Sequence, residues 1–356
     1  MGSSTQVAFV TGSTGLLGNH LVRHLLAHGF QVRALARSRE KAEAQFVGLP
    51  LEIVIGDVTN ISGFAQHLHG VEVLFHTAAY FRESFNGGRH RDELFRVNVV
   101  GTRELLSQAY AAGVRRFVHT SSGAVLTGKP GQLIDETMSR PVDEASEYPL
   151  SKIQADQEVA AFFRSHPDAS GCIVLPGWMF GPGDIGPTSS GQLILDFLNG
   201  RLPGVPPAEF TVVDARDVAE AEVVAAEKGR RGERYLVAGR CMEMAEIFAL
   251  LEHTTGVPAP KRRIPIVFLY VFAAVNEAWH FLSKKPVLIS LSAVRLMAEA
   301  RGRIKFDSTK AEREFGVSSR PVADTLRDTV NWYRQNGWDL RINRERRQLR
   351  TTGESI

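Results

Sequence analysis

The segment Thr11-Gly12-Ser13-Thr14-Gly15-Leu16-Leu17-Gly18 sits between a short apolar run, Gln6–Val10, and a stretch carrying Leu17, Leu21 and Leu25 at i, i+4 and i+8. The run reads as a buried strand. The leucine spacing, with Val22 and Leu26 beside it, reads as a helix closed by Gly29. A strand that turns through glycine directly into a helix leaves the first helical N–H groups unpaired at the positive end of the dipole. Gly12, Gly15 and Gly18 recur every third residue, so the backbone can turn tightly and come close to a pyrophosphate. With a strand before it and a helix after it, the loop from Gly12 through Thr14, Gly15, Leu16 and Leu17 to Gly18 is a candidate dinucleotide-binding turn.

The rest of the first half repeats this alternation. Gln31–Ala36, Leu51–Ile55, Val71–His76, Arg116–Thr120 and Cys172–Leu175 read as further buried strands, and a helix is expected from about Asp92 to Ala112, closing at Gly113. Strict alternation predicts an α/β fold of the Rossmann type, a doubly wound parallel sheet covered on both faces. After Pro176 the pattern changes. Gly181–Pro207 is crowded with glycine and proline and reads as loops. A helix from Asp214 to Lys228 and a strand at Arg234–Ala238 follow, then helices over 243–256, 266–282, 290–300 and 321–336. The expected division places 5–176 and 214–240 in a cofactor domain, and 177–213 and 241–340 in a smaller, mostly helical substrate lobe. Residues 341–356, with five arginines and no apolar periodicity, read as a solvated basic tail.

Composition removes several function classes. Of 356 residues 23% are charged, close to the roughly 25% of soluble domains, which excludes disorder and fibrous repeats. A net charge of +3 without a like-charge block is a weak field, so nucleic acid is not the expected partner. The two cysteines, Cys172 and Cys241, lack ligand-spaced neighbours, so neither a disulfide scaffold nor a structural zinc is expected. The chain reaches Val7 without the basic start and cleavage site of a signal peptide. Its longest apolar stretch, Ile264–Val275, is twelve residues and contains Pro265, whereas a membrane span needs about 20. These features give the expectation of a cytoplasmic protein acting on a small molecule.

Two further features bear on chemistry. The second strand ends at Ala36-Arg37-Ser38. A carboxylate there would favour the free ribose hydroxyls of NAD, whereas Arg37 favours the 2′-phosphate of NADP(H), with NAD(H) as the lesser possibility. Tyr148-Pro149-Leu150-Ser151-Lys152 places a tyrosine and a lysine one helical turn apart, with Pro149 expected at the first helical position and Tyr148 as its cap. A nearby ammonium lowers a phenol from its usual pKa of about 10 and fits it for proton transfer. Thr120-Ser121-Ser122-Gly123 follows the fifth strand, where carboxyl ends face the ligand crevice, so a hydroxyl there can bond a substrate oxygen. Ser122, Tyr148 and Lys152 form the candidate catalytic set.

With these motifs the sequence resembles the extended short-chain dehydrogenase/reductase family, from Gln6 to about Trp338. The matches are Thr-Gly-x-x-Gly-x-x-Gly at 11–18, Gly56-Asp57-Val58, His76-Thr77-Ala78-Ala79, Asn98-Val99-Val100-Gly101-Thr102, Thr120-Ser121-Ser122, Tyr148-x-x-x-Lys152, Pro176, Gly181-Pro182-Gly183 and Asp217-Val218-Ala219. Phe306-Asp307-Ser308-x-Lys310-Ala311 and Trp332-Tyr333 resemble the branch of dihydroflavonol reductases and 3β-hydroxysteroid dehydrogenases. The resemblance implies Asp57 and Val58 at the adenine, and Ala78, Ala79, Tyr80 and Thr120 along the cofactor. It implies Lys152 on the ribose, and Pro176, Gly177 and Met179 at the nicotinamide. Ser122, Gly123 and Trp178 would face the substrate. One departure stands out: Leu175 occupies the place where the family often has arginine. His76 reads as structural.

The leading expectation is an NADP(H)-dependent oxidoreductase that interconverts a carbonyl and a secondary alcohol on an apolar or aromatic substrate. The alternative is a nucleotide-sugar epimerase or dehydratase with tightly held cofactor, using Arg295, Arg301 or Arg303 on a pyrophosphate. A non-catalytic dinucleotide-binding regulator comes third. The family resemblance also implies a homodimer.

Overall fold

The computed structural model describes residues 6–81, 90–283 and 290–338; the basic tail lies outside the described residues. Among the described residues ten strands run in chain order: β1 (Val7–Thr11), β2 (Gln31–Ala36), β3 (Glu52–Ile55), β4 (Val73–His76), β5 (Arg116–Thr120), β6 (Ser170–Pro176), β7 (Trp178–Phe180), β8 (Glu209–Asp214), β9 (Arg234–Val237) and β10 (Arg240–Glu243). The helices are α1 (Leu16–Ala27), α2 (Arg39–Gln45), α3 (Arg91–Leu94), α4 (Gly101–Ala111), α5 (Glu147–Ser165), α6 (Ser189–Leu198), α7 (Ala215–Lys228), α8 (Met244–Thr255), α9 (Ile266–Ser283), α10 (Leu291–Ala300), α11 (Thr309–Phe315) and α12 (Val322–Gln335).

Seven strands form one parallel sheet in the order β3-β2-β1-β4-β5-β6-β9. Most of their β-branched and aromatic side chains are buried on both sides, as the alternation predicts, while Ile55 on the edge strand β3 is exposed. On one face Leu17, Leu21 and Leu25 of α1 pack with Val218, Ala221 and Ala225 of α7. On the other, Leu105 and Ala109 of α4 pack with Val159 and Phe162 of α5. The strand order reverses between β1 and β4, and this topological switch opens the crevice outside their carboxyl ends.

The second half departs from the expected loops. Within 181–207, Thr188 accepts a hydrogen bond from Gly191 N at 3.3 Å and caps α6, whose Ile194, Leu195, Phe197 and Leu198 are buried. The surrounding glycines and prolines hide this one capped helix in the sequence. A small sheet ordered β10-β8-β7 joins α6, α8 and α12 in a separate core around Phe180, Phe197, Phe248 and Tyr333. Ala311, Phe315 and Val317 pack instead with the α1–α7 layer, so α11 buttresses the large sheet although the sequence division put it in the lobe. The helix expected from Asp92 to Ala112 is interrupted by a π-helical turn at Phe95–Val100.

Among the described residues no helix is long and apolar enough to cross a membrane.

Candidate active site

A cleft of about 1270 Å³ runs along the carboxyl ends of the sheet and on between the sheet and the lobe. This exceeds the roughly 300–1,000 Å³ of ordinary ligand pockets, leaving room for a dinucleotide and a second molecule. Every residue singled out in the sequence as cofactor-binding, catalytic or substrate-lining contributes to its wall.

Gly12 turns the chain out of β1 with φ +66°, and a Cβ there would lie 2.8 Å from the amide nitrogen of Ala78. A Cβ on Gly18 would sit 2.2 Å from the Gly12 carbonyl oxygen, so α1 closes directly on the loop. Gly15 caps α1 with no side-chain hydrogen bond, and the first turn holds no acid. The helix therefore presents bare N–H groups and an uncompensated positive dipole to the cleft, which fits a pyrophosphate. Just past β2, Arg37 and Ser38, with Lys41 on the first turn of α2, line the cleft beside Asp57. Burial alone would raise the Asp57 carboxyl. Hydrogen bonds from Thr59 N at 2.8 Å and Thr59 Oγ1 at 2.7 Å, with the charges of Arg37 and Arg96, instead hold it below its ordinary value. Lys41 carries no motif and was not singled out in the sequence.

Tyr148 and Lys152 lie on the first turns of α5. Ser146 is the cap residue, so Tyr148 is the second helical residue and Pro149 the third; the sequence expectation put both earlier. Proline is accepted because the first helical N–H groups have no intrahelical partner. The Lys152 ammonium is buried and donates to the Thr120 carbonyl at 2.8 Å. Burial pushes Lys152 down to about 8 against the opposing pull of Asp156 and Glu222. Burial also pushes the Tyr148 hydroxyl up, which outweighs its hydrogen bond with Ser122. The expected lowering of the phenol by the lysine charge is therefore absent in the protein alone. Phe81 packs edge-on against the Tyr148 ring at 4.9 Å.

Ser122 and Ser121 diverge after β5. Ser122 opens a short turn, accepting from Ala124 N at 3.2 Å, and faces Tyr148. Ser121 turns back and donates to Asp156 Oδ2 at 2.8 Å. Asn98, inside the π-helical turn, donates to Ser151 Oγ at 3.0 Å and the Tyr80 carbonyl at 3.1 Å while accepting from Tyr80 N at 2.7 Å. It thereby locks the β4 loop to α5. His76 bridges Thr11 at 2.8 Å and Thr102 at 2.9 Å, holding β1, β4 and α4 together.

Sequence reasoning missed what lies beneath the lysine. Glu222 of α7 is fully buried and accepts from Thr120 Oγ1 at 2.5 Å. Burial pushes its carboxyl up to about 8, against the Thr120 hydrogen bond and the Lys152 charge. Burial likewise raises Asp156, to about 6. Only the helical register of α5 and α7 could have flagged these acids, because both fall on faces turned to the sheet.

Leu175 is buried among Val125, Leu126, Ile134 and Leu236, so this departure from the family pattern lies in the core and off the cleft wall. Arg295, Arg301 and Arg303 do not line the cleft; Arg303 approaches Glu144 at 3.6 Å instead. The far wall is apolar, with Leu193, Leu202, Phe210, Leu296 and Met297 among its members. Trp178 packs on Phe210 with the rings tilted and their centroids 4.2 Å apart, and donates to Ser189 Oγ at 3.1 Å, a fixed aromatic plate between the two halves.

The family model for the NAD dependent epimerase/dehydratase family matches residues 8–238. The chain belongs to that family. Within it, the chain is 35% identical over 336 residues to a putative dihydroflavonol 4-reductase of Synechocystis sp., covering 93% of this chain and 95% of that protein. It is 37% identical over 331 residues to sterol demethylase protein B of Methylococcus capsulatus, covering 92% and 98%. Among solved structures, gox2253 superposes with a TM-score of 0.79 at 32% identity, covering 94% and 99%. The fold extends to dTDP-glucose 4,6-dehydratase of Streptomyces venezuelae with NAD bound, at TM-score 0.72 and 24% identity over 94% and 98%. The protein is thus an NAD(P)-dependent enzyme of the epimerase/dehydratase family, built on the extended short-chain dehydrogenase/reductase plan.

Proposed function

We propose that the protein interconverts a carbonyl and a secondary alcohol on an apolar or aromatic substrate, with NADP(H) as its cofactor. The observation that carries this reading is the meeting of the Ser122–Tyr148–Lys152 wall with an apolar far wall in one cleft. A nicotinamide dinucleotide held by Gly12, Thr14, Gly15, Arg37 and Asp57 would supply the hydride. Ser122 polarises the substrate oxygen, and Tyr148 passes the proton to or from it. Lys152, fixed on the Thr120 carbonyl, keeps a positive charge beside that transfer. The resting tyrosine is pushed up by burial, so in the reduction direction it holds its proton until the substrate oxygen takes up negative charge. The relatives named as a dihydroflavonol reductase and a sterol demethylase protein support a ring-bearing substrate of low polarity.

Arg37, Ser38 and Lys41 support NADP(H), since the end of β2 offers cations where an NAD site would offer a carboxylate.

A second reading is a nucleotide-sugar epimerase or dehydratase, favoured by the family description and by the fold shared with dTDP-glucose 4,6-dehydratase. Arg140 is then the guanidinium in the cleft wall to consider, although Glu299 at 3.6 Å and the Ala124 carbonyl at 2.8 Å already engage it. One assay separates the two. Steady NADPH consumption with a panel of aromatic and alicyclic ketones supports the reductase. Tightly retained cofactor with no net consumption, and turnover of a sugar nucleotide, supports the epimerase.

A further inference from the structure

Helix α9 is apolar on both sides. Leu269 and Ala273 are buried against Val294 of α10. On the outer side Val267, Phe268, Val271 and Val275 fall at i, i+1, i+4 and i+8 and are 67%, 66%, 58% and 62% exposed, and Phe272, 41% exposed, sits where this face borders the cleft. These five make up almost half of the large exposed apolar residues recorded for the described chain. Surface helices ordinarily carry polar residues on the outer face, and a contiguous apolar patch marks a surface that something covers.

Charge indicates what covers it. From Gly256 to Asn276 the sequence contains Lys261, Arg262 and Arg263 and no acid. All three basic side chains are exposed. Their backbone is not a loose tether: Val205 N donates to the Arg262 carbonyl at 2.8 Å, and Ile264 N to the Val205 carbonyl at 2.9 Å. A positive segment is thus held one turn ahead of an apolar helical face, the arrangement of a helix that lies in the interface of an anionic bilayer.

We propose that α9 docks the enzyme on an anionic membrane surface, with Val267, Phe268 and Val271 in the acyl boundary and Lys261, Arg262 and Arg263 on the headgroups. The helix does not span the bilayer. Ile264, Leu269 and Phe272, with Leu296 and Met297 of α10, line the substrate cleft. The lobe that touches lipid is therefore also a wall of the cleft, and its substrate is a carbonyl or alcohol dissolved in the bilayer. This last step rests on the reductase reading; the docking does not.

The test uses the full chain in flotation with phosphatidylglycerol-containing vesicles and with pure phosphatidylcholine vesicles. The expected result is binding to the anionic vesicles that weakens with salt. Binding should fall at least ~10-fold in R262E/R263E, since each basic residue near the surface is worth roughly fivefold. It should fall similarly in V267E/V271E. Both variants replace exposed side chains, so unchanged thermal melting and NADPH affinity establish that they fold. Failure of the wild type to float with anionic vesicles overturns the proposal. So does undiminished flotation of both variants, or a stable dimer that V267E/V271E splits. Loss of turnover on a vesicle-borne ketone, with retention on the same ketone in detergent, supports delivery from the bilayer. Flotation without turnover of any ketone overturns the reductase reading and leaves the docking in place.

Discussion

Lys152 and Glu222 meet through a single residue, Thr120, whose carbonyl accepts from the lysine at 2.8 Å and whose hydroxyl donates to the glutamate at 2.5 Å. The lysine and the carboxyl come from α5 and α7, on opposite faces of the sheet, and β5 lies between them. The ammonium is therefore fixed by backbone in front and supported by a buried acid behind.

Glu222→Gln tests that support. The folded carboxyl titrates near 8 against an ordinary 4.5, so the folded state keeps a proton that the unfolded chain gives up between those values. Its contribution to stability is complete below about 4.5 and is lost as pH rises through about 8. The buried histidines His20, His76 and His119, lowered by burial, add stability as pH rises toward 6.5 in both proteins. The test is therefore the difference: unfolding free energy in urea of wild type minus Glu222→Gln should fall from pH 5 to pH 8. Asp156, raised to about 6, retains the lower part of the dependence in both proteins. Only the ionised carboxylate raises Lys152, so the amide should lower the lysine's titration where Glu222 has lost its proton, and the alkaline limb of the kcat profile should move down. Parallel stability curves would refute this account.

Tyr148→Phe removes the hydroxyl and leaves the ring against Phe81. Turnover should fall at least ~100-fold, the usual scale of a lost general acid. NADPH affinity, measured by fluorescence titration, should stay within about twofold, because the glycine loop and Arg37 are untouched. Ser122→Ala should lower kcat by a smaller factor, since Tyr148 still donates to the substrate oxygen. Persistent turnover in Tyr148→Phe would move the acid elsewhere.

Arg37→Ala addresses cofactor choice. A charge-assisted contact to a 2′-phosphate is worth roughly 1.5–3 kcal/mol, so NADPH affinity should fall on the order of 10–100-fold. NADH, lacking that phosphate, should bind almost as before. Equal losses for both cofactors would show that Arg37 does not read the phosphate.

How far the sequence reveals this molecule follows the range of each signal. The large sheet is legible because buried parallel strands and the helices between them carry strong local periodicity. The glycine loop is legible because its glycines recur every third residue between a strand and a helix, and Gly18 answers to a backbone clash with Gly12 only six residues away. Tyr148 and Lys152 are one turn apart and so visible together. Glu222 is not, because 70 residues part it from Lys152 and only the packing of α7 on β5 brings them close. Asn98 owes its reach to a π-helical turn that no local spacing announces. The small β10-β8-β7 sheet is hidden for a similar reason: β7 and β10 are three and four residues long, and pairing alone gives them their form.

Gly18→Ala separates packing from cofactor binding. A methyl at this position meets the Gly12 carbonyl oxygen at 2.2 Å and the Ser13 Cα at 2.8 Å, both rigid backbone atoms. The helix must lift from the loop, and overpacking of this kind costs roughly 1–3 kcal/mol. Unfolding in urea should show that loss with or without cofactor. Lifting α1 also carries its N–H groups away from the pyrophosphate site, so NADPH affinity should fall by about tenfold or more. Gly29→Ala is the control: φ there is +81° and a Cβ meets nothing within 4 Å. That substitution strains the backbone, lowering stability on the order of 1–2 kcal/mol, and should leave cofactor affinity unchanged. Equal effects of the two substitutions on NADPH binding would mean that general destabilisation, and not the seating of α1 on the loop, governs the site.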